Sequence, residues 1–213
     1  MMMKLKMYQV DAFTDKLFTG NPAAIVILES SLDDEKMQSI SFENNLSETA
    51  FVSINESPIY IRWFTPSIEV DLCGHATLAS ARILFEHYPE LAGKEINFDS
   101  KSGILKVTKN KDDLCLNFPA DKPVLLDSDP LFEEILGAEP LQLLRGKDDY
   151  LAIFESQKQI ESIKPDFYML SKLDSRGLVI SAPGDKVDFV SRCFYPEAGI
   201  EEDPVTGSAH TML

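Results

Sequence analysis

The chain has 213 residues, of which 44 % are hydrophobic and 26 % are charged, proportions typical of a globular protein with an apolar core. Its 35 acidic residues outnumber the 20 basic ones and give a net charge of −15, which argues against nucleic acid and anionic membrane surfaces as partners. A small anionic substrate is compatible with this charge, because a few backbone N–H groups can hold a carboxylate against an overall negative field.

The first part of the chain predicts more strand than helix. Four strands are predicted before residue 65, at 7–13, 23–28, 49–54 and 59–64. Between the second and third of them, residues 33–45 predict a helix with Ser31 as its N-cap. The clearest helix is 76–88, where apolar residues recur at helical spacing until Pro89 ends the pattern. Three strands follow this helix, at 95–99, 104–109 and 114–118.

The second part resumes after a proline-rich segment, 119–130, which is the expected linker between two domains. Residues 131–136 predict a short helix that Gly137 closes. The remaining strands are predicted at 150–155, 178–181 and 188–195. Because the helices lie irregularly among more numerous strands, the pattern predicts an α+β fold and not a βαβ series.

An internal repeat relates the two parts. In the first, the skeleton Arg-x-Phe-x-Pro, a loop, and x-Gly-x-Ala occurs as Arg62–Pro66 followed by Cys73-Gly74-His75-Ala76. In the second, it occurs as Arg192–Pro196 followed by Thr206-Gly207-Ser208-Ala209. A recurring order of strand, loop, glycine and helix start predicts duplication, with domains at 1–118 and 131–213.

The repeat also predicts that the second domain is incomplete. After Gly74 the first copy continues through a helix and three strands to Phe118, whereas the sequence stops at Leu213, shortly after Gly207. We therefore expect an open groove in the second domain, lined by apolar strand residues such as Ile153, Val179 or Phe194. A separate chain carrying the absent segment, or a neighbouring copy, would fill this groove.

Two glycines and one acid are candidate site residues. Gly74 and Gly207 each stand where a helix is expected to start, and two facing helix N-termini would hold one carboxylate through unpaired N–H groups. The alternative at each glycine is a tight turn without a ligand. Glu48 begins an apolar strand, where partial desolvation would favour a carboxyl that both takes and gives a proton. Its alternative is a solvated strand end.

Four further side chains lie next to these glycines. His75 would stay neutral at a helix N-terminus and donate a hydrogen bond, or else would pack on the loop. Asp203 and Ser208 bracket Gly207, and the alternative role of the acid is that of a helix-capping or turn residue. Cys73 is interpreted as a buried packing side chain, because a nucleophilic thiol requires a positioned base.

Metal and cofactor motifs are absent from the sequence. The three cysteines form no Cys-x-x-Cys pair and the three histidines have no ligand spacing, so no metal site is expected. No Gly-x-Gly-x-x-Gly or Walker loop occurs, so no nucleotide cofactor is expected either. An odd number of cysteines, with neither a secretion signal nor an apolar segment of about 20 residues, predicts reduced thiols in the cytoplasm.

Together these motifs resemble the phenazine-biosynthesis PhzF family. The matching stretches, in the family's order, are Val10-Asp11-Ala12-Phe13, Gly20-Asn21-Pro22-Ala23-Ala24, Ser47-Glu48-Thr49-Ala50-Phe51, Arg62-Trp63-Phe64-Thr65-Pro66, Asp71-Leu72-Cys73-Gly74-His75-Ala76-Thr77 and Glu202-Asp203-Pro204-Val205-Thr206-Gly207-Ser208-Ala209-His210. Gly-His-Ala-Thr and Asp-Pro-Val-Thr-Gly-Ser-Ala-His are the most specific of these motifs, and the matches run from residue 10 to residue 210.

The resemblance implies a diaminopimelate epimerase-like fold. In that fold two pseudo-symmetric domains each wrap an antiparallel β-barrel around a central helix, and the active site lies in the cleft between them. Glu48 matches the catalytic acid/base of the family, and His75 and Asp203 match catalytic residues of the same pocket. Gly74, Gly207 and Ser208 match the substrate-binding positions. The family uses no metal or organic cofactor and commonly forms dimers, so a homodimer is expected.

One departure from the related epimerases and racemases bears on the chemistry. Those enzymes use a pair of thiols, whereas here Cys73 has Thr206 as its counterpart. A threonine hydroxyl does not ionise near neutral pH, so a one-base proton shift fits better than two-base inversion. The sequence therefore predicts a cofactor-independent isomerase acting on a small carboxylate substrate. The alternatives are a non-catalytic family scaffold that binds a partner and an amino-acid racemase or epimerase.

Overall fold

The computed structural model describes residues 4–90, 95–111 and 113–213, and the chain divides into two units between Phe118 and Pro119. The first unit has two helices, α1 (Asp34–Asn44) and α2 (Gly74–His87). Its strands are β1 (Lys6–Ala12), β2 (Asn21–Leu28), β3 (Glu48–Ser53), β4 (Ile59–Phe64), β5 (Glu69–Val70), β6 (Glu95–Asp99), β7 (Leu105–Asn110) and β8 (Asp113–Asn117). These strands form one sheet in the order β1-β2-β3-β4-β6-β7-β8, with β5 paired to β4.

The central strands of this sheet are covered by a helix on each face. Alternation along β3 directs Ala50 and Val52 into the core that α2 shares, while Phe51 joins Met37 of α1 in a second cluster. The helix α2 is rich in alanine, which lets it lie close to the strands, and it ends before Pro89 as predicted.

The N-cap of α1 differs from the prediction. The carboxylate of Asp33, and not Ser31, accepts a hydrogen bond from the backbone N–H of Lys36. Both residue types cap helices well, so composition alone could not separate them.

The second unit has three short helices, α3 (Pro130–Leu136), α4 (Gln157–Ser162) and α5 (Phe167–Leu170). Its strands are β9 (Val124–Leu125), β10 (Gln142–Arg145), β11 (Asp149–Ile153), β12 (Gly177–Pro183), β13 (Phe189–Tyr195) and β14 (Ile200–Asp203). They form one sheet in the order β14-β13-β12-β11-β10-β9. The pair β9–β10 thus places part of segment 119–130 within this sheet.

The two units repeat one topology. The strand series β1-β2-β3-β4-β5 and β10-β11-β12-β13-β14 both pair antiparallel, parallel, antiparallel and antiparallel in turn. Arg62 makes a forked ion pair with Glu69 on the neighbouring strand, and Arg192 does the same with Glu202. Each guanidinium also lies 5.1 Å from the ring of the phenylalanine two residues on. This correspondence supports duplication.

Three expectations about the fold are wrong. The sheets are mixed and not antiparallel, since β2–β3, β4–β6 and β11–β12 pair parallel, and within the described residues neither sheet closes into a barrel. Gly207 precedes a single 3₁₀ turn, Ser208–Thr211, where an α-helix was expected. Val179 and Phe194 do not line an open groove, because both are fully buried, on opposite faces of the second sheet, while Ile153 is half-buried.

Within residues 4–90, 95–111 and 113–213, no helix combines the length and the apolar character that spanning a bilayer requires.

Candidate active site

Glu48 is placed by the end of α1 and the start of β3. Asn45 adopts the left-handed conformation that ends α1, with its N–H bonded to the carbonyl of Ser41, and the chain then turns into β3. Glu48 is the first residue of that strand and pairs with Ala23 of the parallel neighbour β2. Its side chain is 17 % exposed, so the carboxyl faces a restricted space at the end of the sheet.

His75 lies beside Glu48, although the two residues belong to different elements. It is the second residue of α2, and its side chain is 6 % exposed. Its Nε2 atom lies 3.3 Å from Oε2 of Glu48, and its Nδ1 atom lies 3.5 Å from Sγ of Cys73. A carboxyl, an imidazole and a thiol therefore form one cluster where α2 begins beside Gly74.

The imidazole of His75 is neutral at physiological pH. Burial lowers its pKa from 6.5 to about 4, and a hydrogen bond to the backbone carbonyl of Pro22 opposes that shift only in part. A neutral imidazole has one N–H and one acceptor nitrogen, and the hydrogen bond to the Pro22 carbonyl uses that N–H. His75 is consequently a neutral neighbour in contact with Glu48 and not a permanent countercharge.

The same cluster contains three potential metal ligands. One ligand atom each from Glu48, Cys73 and His75 lies within 4.8 Å of the others, a grouping that sequence spacing did not predict because Glu48 comes from another element. Glu48 lies close to Nε2 of the imidazole ring, whereas Cys73 lies close to Nδ1, the other ring nitrogen. A tetrahedral centre needs one nitrogen about 3.5 Å from both other donors. The geometry therefore fits a metal ion poorly.

Asp203 ends β14 in the second unit and holds the loop that follows. Its carboxyl accepts hydrogen bonds from the Thr206 hydroxyl and the Val205 backbone N–H. Burial raises the pKa of Asp203, and these two hydrogen bonds oppose the rise. Asp203 therefore stabilises a turn and does not cap the following 3₁₀ turn, whose N-cap is Gly207, and its carboxyl has a greater tendency to hold a proton.

Ser208 contacts Arg176, which the sequence motifs did not include, and Arg176 is in turn paired with Asp149. Arg176 Nη2 lies 3.1 Å from the Ser208 hydroxyl oxygen, and the same guanidinium makes a forked ion pair with Asp149. Asp149 is an acid at the start of an otherwise apolar strand, the pattern that singled out Glu48, so the same criterion would have found it.

A cysteine of the second unit lies close to Thr206, but it is not a counterpart of Cys73. The hydroxyl of Thr206 hydrogen-bonds to the thiol of Cys193. Burial raises the pKa of Cys193 to about 12, against the smaller lowering effect of that hydrogen bond. Cys193 accordingly remains a packed thiol at neutral pH.

The repeat places different residues at the position of Glu48. Phe51 pairs with Arg62 in the first unit, and Ile180 pairs with Arg192 in the second, so Phe51 and Ile180 are equivalent positions. Glu48 and Gly177 each lie three residues before them and are therefore equivalent as well. A Cβ atom on Gly177 would lie 2.4 Å from the Phe194 carbonyl oxygen and 2.2 Å from the Tyr195 ring. The second unit therefore holds no carboxyl, and has no room for one, where the first unit holds Glu48.

The predicted site residues thus fall into two groups. Glu48, Gly74 and His75 meet at the start of α2. In the second unit, Asp203 and Ser208 flank the loop that contains Gly207.

An open depression of about 890 Å³ lies elsewhere in the second unit, lined by Lys164, Arg192 and Glu202 among others, and none of the predicted site residues lines it.

The fold and the site geometry define the class of this chain. It is a duplicated α+β protein in which each unit carries polar side chains near the glycine that follows the repeated strand and loop. The family model for phenazine biosynthesis-like proteins (PhzC-PhzF) matches residues 10–213, and the chain belongs to this family. The resemblance predicted from the motifs is thereby confirmed.

Individual relatives agree with this assignment. An uncharacterised isomerase of Pseudomonas aeruginosa is 48 % identical over 211 residues, covering 99 % of this chain and 80 % of the relative. The crystal structure of a PhzF-family protein from Enterococcus faecalis superposes with a TM-score of 0.91 at 44 % identity, covering 99 % of this chain and 80 % of that one. A hydroxyproline epimerase from Agrobacterium vitis, 8 % identical with a TM-score of 0.58 over 93 % of this chain and 72 % of that one, shares the fold alone.

Proposed function

We propose that the protein is an isomerase that moves a proton on a small carboxylate substrate, with Glu48 as its single acid/base and without a cofactor. The observation that carries the proposal is the contact of Glu48 with neutral, buried His75, at 3.3 Å, in one unit only. The name of the relative at 48 % identity supports an isomerase class.

The proposed step needs one carboxylate and a carbon acid. Glu48 takes a proton from a carbon next to an unsaturated group, and the electron pair of the broken C–H bond moves into that group. The protonated carboxyl then returns the proton to another carbon of the same system, which restores Glu48. The N–H groups at the start of the 14-residue helix α2, near Gly74, stabilise the negative charge that develops, and His75 orients the substrate beside Glu48.

The second unit would supply substrate-orienting groups. By resemblance to the family, Ser208 and Gly207 hold the substrate carboxylate, and Asp203 shares a proton with the substrate. The raised pKa of Asp203, caused by burial, supports that last role because it favours the protonated form. Convergence of these groups with Glu48 on one substrate is part of the proposal.

The racemase alternative lacks a second base. Two-base inversion needs a thiolate at both equivalent positions, but Cys73 corresponds to Thr206. The thiol next to Thr206 is Cys193, whose pKa of about 12, raised by burial, keeps it protonated at neutral pH. These features favour one-base chemistry.

The test is exchange of substrate hydrogen with deuterated water. Wild type and variants would be incubated with a panel of small carboxylates that carry an acidic C–H beside a double bond, and ¹H NMR would follow loss of that signal. Glu48→Gln keeps the size of the side chain but removes the base, so exchange should fall about 10²–10⁴-fold. Glu43→Gln, an exposed carboxyl on α1, is the matched control and should exchange at the wild-type rate.

Two results would contradict the proposal. Exchange at the wild-type rate in Glu48→Gln would show that another group is the base. If no carboxylate of the panel exchanges with wild type but some bind, the non-catalytic scaffold becomes the better interpretation.

A further inference from the structure

A buried ion pair lies next to Ser208 in the second unit. Arg176 directly precedes β12, and its Nε atom lies 2.9 Å from Oδ1 of Asp149 while its Nη2 atom contacts Oδ2. The side chain of Asp149 is only 3 % exposed. A buried carboxylate is costly unless it is paired and hydrogen-bonded, and a forked guanidinium meets both needs. Asp149 therefore fixes the orientation of Arg176.

The oriented guanidinium in turn fixes the Ser208 hydroxyl. Nη2 of Arg176 donates to the Ser208 oxygen at 3.1 Å, and the guanidinium carbon lies 5.3 Å from the ring centre of Tyr195. Because the hydroxyl oxygen accepts from Arg176, its own proton must point away from the guanidinium, so Ser208 acts as a donor on its other side. The Arg176 side chain is 42 % exposed, which leaves its positive charge within reach of a bound ligand.

The first unit has no such pair at the corresponding positions. Gly177 is equivalent to Glu48 in the repeat. Asp149 is the strand partner of Gly177 and Ala23 is the strand partner of Glu48, so Asp149 corresponds to Ala23. Arg176, one residue before Gly177, corresponds to Ser47. The two copies therefore differ in kind, since one carries a carboxyl for proton transfer and the other a fixed cation beside a hydroxyl.

We propose that Arg176 is a positioning residue that makes the Ser208 site select a carboxylate over a neutral group. It does so by holding the Ser208 hydroxyl as a donor and by placing a positive charge beside it, and Asp149 keeps it in place. The inference rests on the proposed function in one respect, namely that Ser208 faces the substrate.

The experiment measures anion selectivity without the reaction. Benzoate and benzamide have the same shape but differ in charge, and ¹H–¹⁵N NMR of the Gly207 and Ser208 amides would give the affinity of each. Asp149→Asn/Arg176→Met removes both partners and so leaves no unpaired buried charge. Arg192→Met/Glu202→Gln removes the other forked pair of this unit at the same net charge and is the control.

Wild type and the control should bind benzoate more tightly than benzamide. Loss of a charge-assisted contact should weaken benzoate binding about tenfold or more in the Asp149/Arg176 double variant, with benzamide affinity unchanged. Arg176→Lys keeps the charge but loses the fork, so it should restore part of the selectivity.

Three results would overturn the proposal. The first is that wild type and the double variant bind benzoate with equal affinity. The second is that the double variant binds benzoate and benzamide equally more weakly and is less stable. The third is that benzoate does not shift the Ser208 amide signal in wild type. The middle result would indicate a merely structural pair. None of these readouts depends on Glu48, so failure of the proposed proton transfer would be seen separately, in the deuterium exchange assay.

Discussion

Lowering the pH from 7 to 5 tests the neutral state of His75. Burial lowers the pKa of this imidazole from 6.5 to about 4 in the folded protein, whereas the unfolded chain keeps the ordinary value. Between those two values the unfolded state binds more protons than the folded state. By linkage, the contribution of His75 to folding stability is present above pH 6.5 and is lost as the pH falls towards 4.

The expected magnitude follows from the same two values. The full gap corresponds to about 3 kcal/mol, and about 2 kcal/mol of it is lost between pH 7 and pH 5. Glu48 acts in the opposite direction, because an ionised carboxylate 3.3 Å from Nε2 would stabilise the imidazolium form. A smaller loss would therefore measure how much negative charge Glu48 carries.

Urea unfolding followed by tryptophan fluorescence is a suitable assay. Trp63 is the single tryptophan of the sequence, and it is 1 % exposed in the core of the first unit, so its emission reports unfolding of the unit that contains His75. His75→Gln removes the titrating group. His87→Gln, at an exposed position in the last turn of α2, is the matched control.

Many carboxylates also titrate in this range, so the informative quantity is the difference between proteins. Wild type and His87→Gln should lose about 2 kcal/mol more free energy of unfolding than His75→Gln between pH 7 and pH 5. Equal losses in all three proteins would refute the reasoning. The imidazole would then take up its proton as readily in the folded state as in the unfolded chain.

Two further predictions concern single positions of the repeat. Gly177→Ala should destabilise the second unit by about 1–3 kcal/mol, because the added Cβ would meet the Phe194 carbonyl oxygen at 2.4 Å. Amide hydrogen exchange along β12 would measure this, and unchanged protection would contradict the overlap. Cys73→Ala should retain most of the deuterium exchange activity if the thiol only packs. Near-complete loss with the fold intact would instead support a thiol-base racemase.

Strands with clear alternation were predictable from the sequence. The predicted bounds 59–64 and 95–99 agree with β4 and β6, because apolar and polar residues alternate there against a buried face. The short strands β5 and β14 were not predicted. A strand of two to four residues is too short to show an alternation of apolar and polar residues. These strands form because a neighbouring strand offers its edge, and because the ion pairs Arg62–Glu69 and Arg192–Glu202 hold them there.

The candidate site was predictable as separate residues but not as clusters. Motifs singled out Glu48 and His75 individually, and their contact arises only when β3 packs beside the start of α2. Asp149 and Arg176 are far apart in sequence and form no motif. Parallel pairing of β11 with β12 brings them together, and strand pairing of that kind depends on the whole sheet.

Divergence between the two copies bears directly on the proposed chemistry. Inversion at a carbon centre needs one base on each face of the substrate, and a duplicated scaffold could supply both from equivalent positions. Here the position that holds Glu48 in one copy is Gly177 in the other, where a side chain would collide with backbone. The position that holds Cys73 is occupied by Thr206, which does not ionise near neutral pH. If Glu48 is the single base, as proposed, the proton returns from the side on which it was taken, so the proposed reaction is a shift along one face of the substrate. The second copy is then free to carry groups that bind and orient an anion, as Arg176 and Ser208 are placed to do.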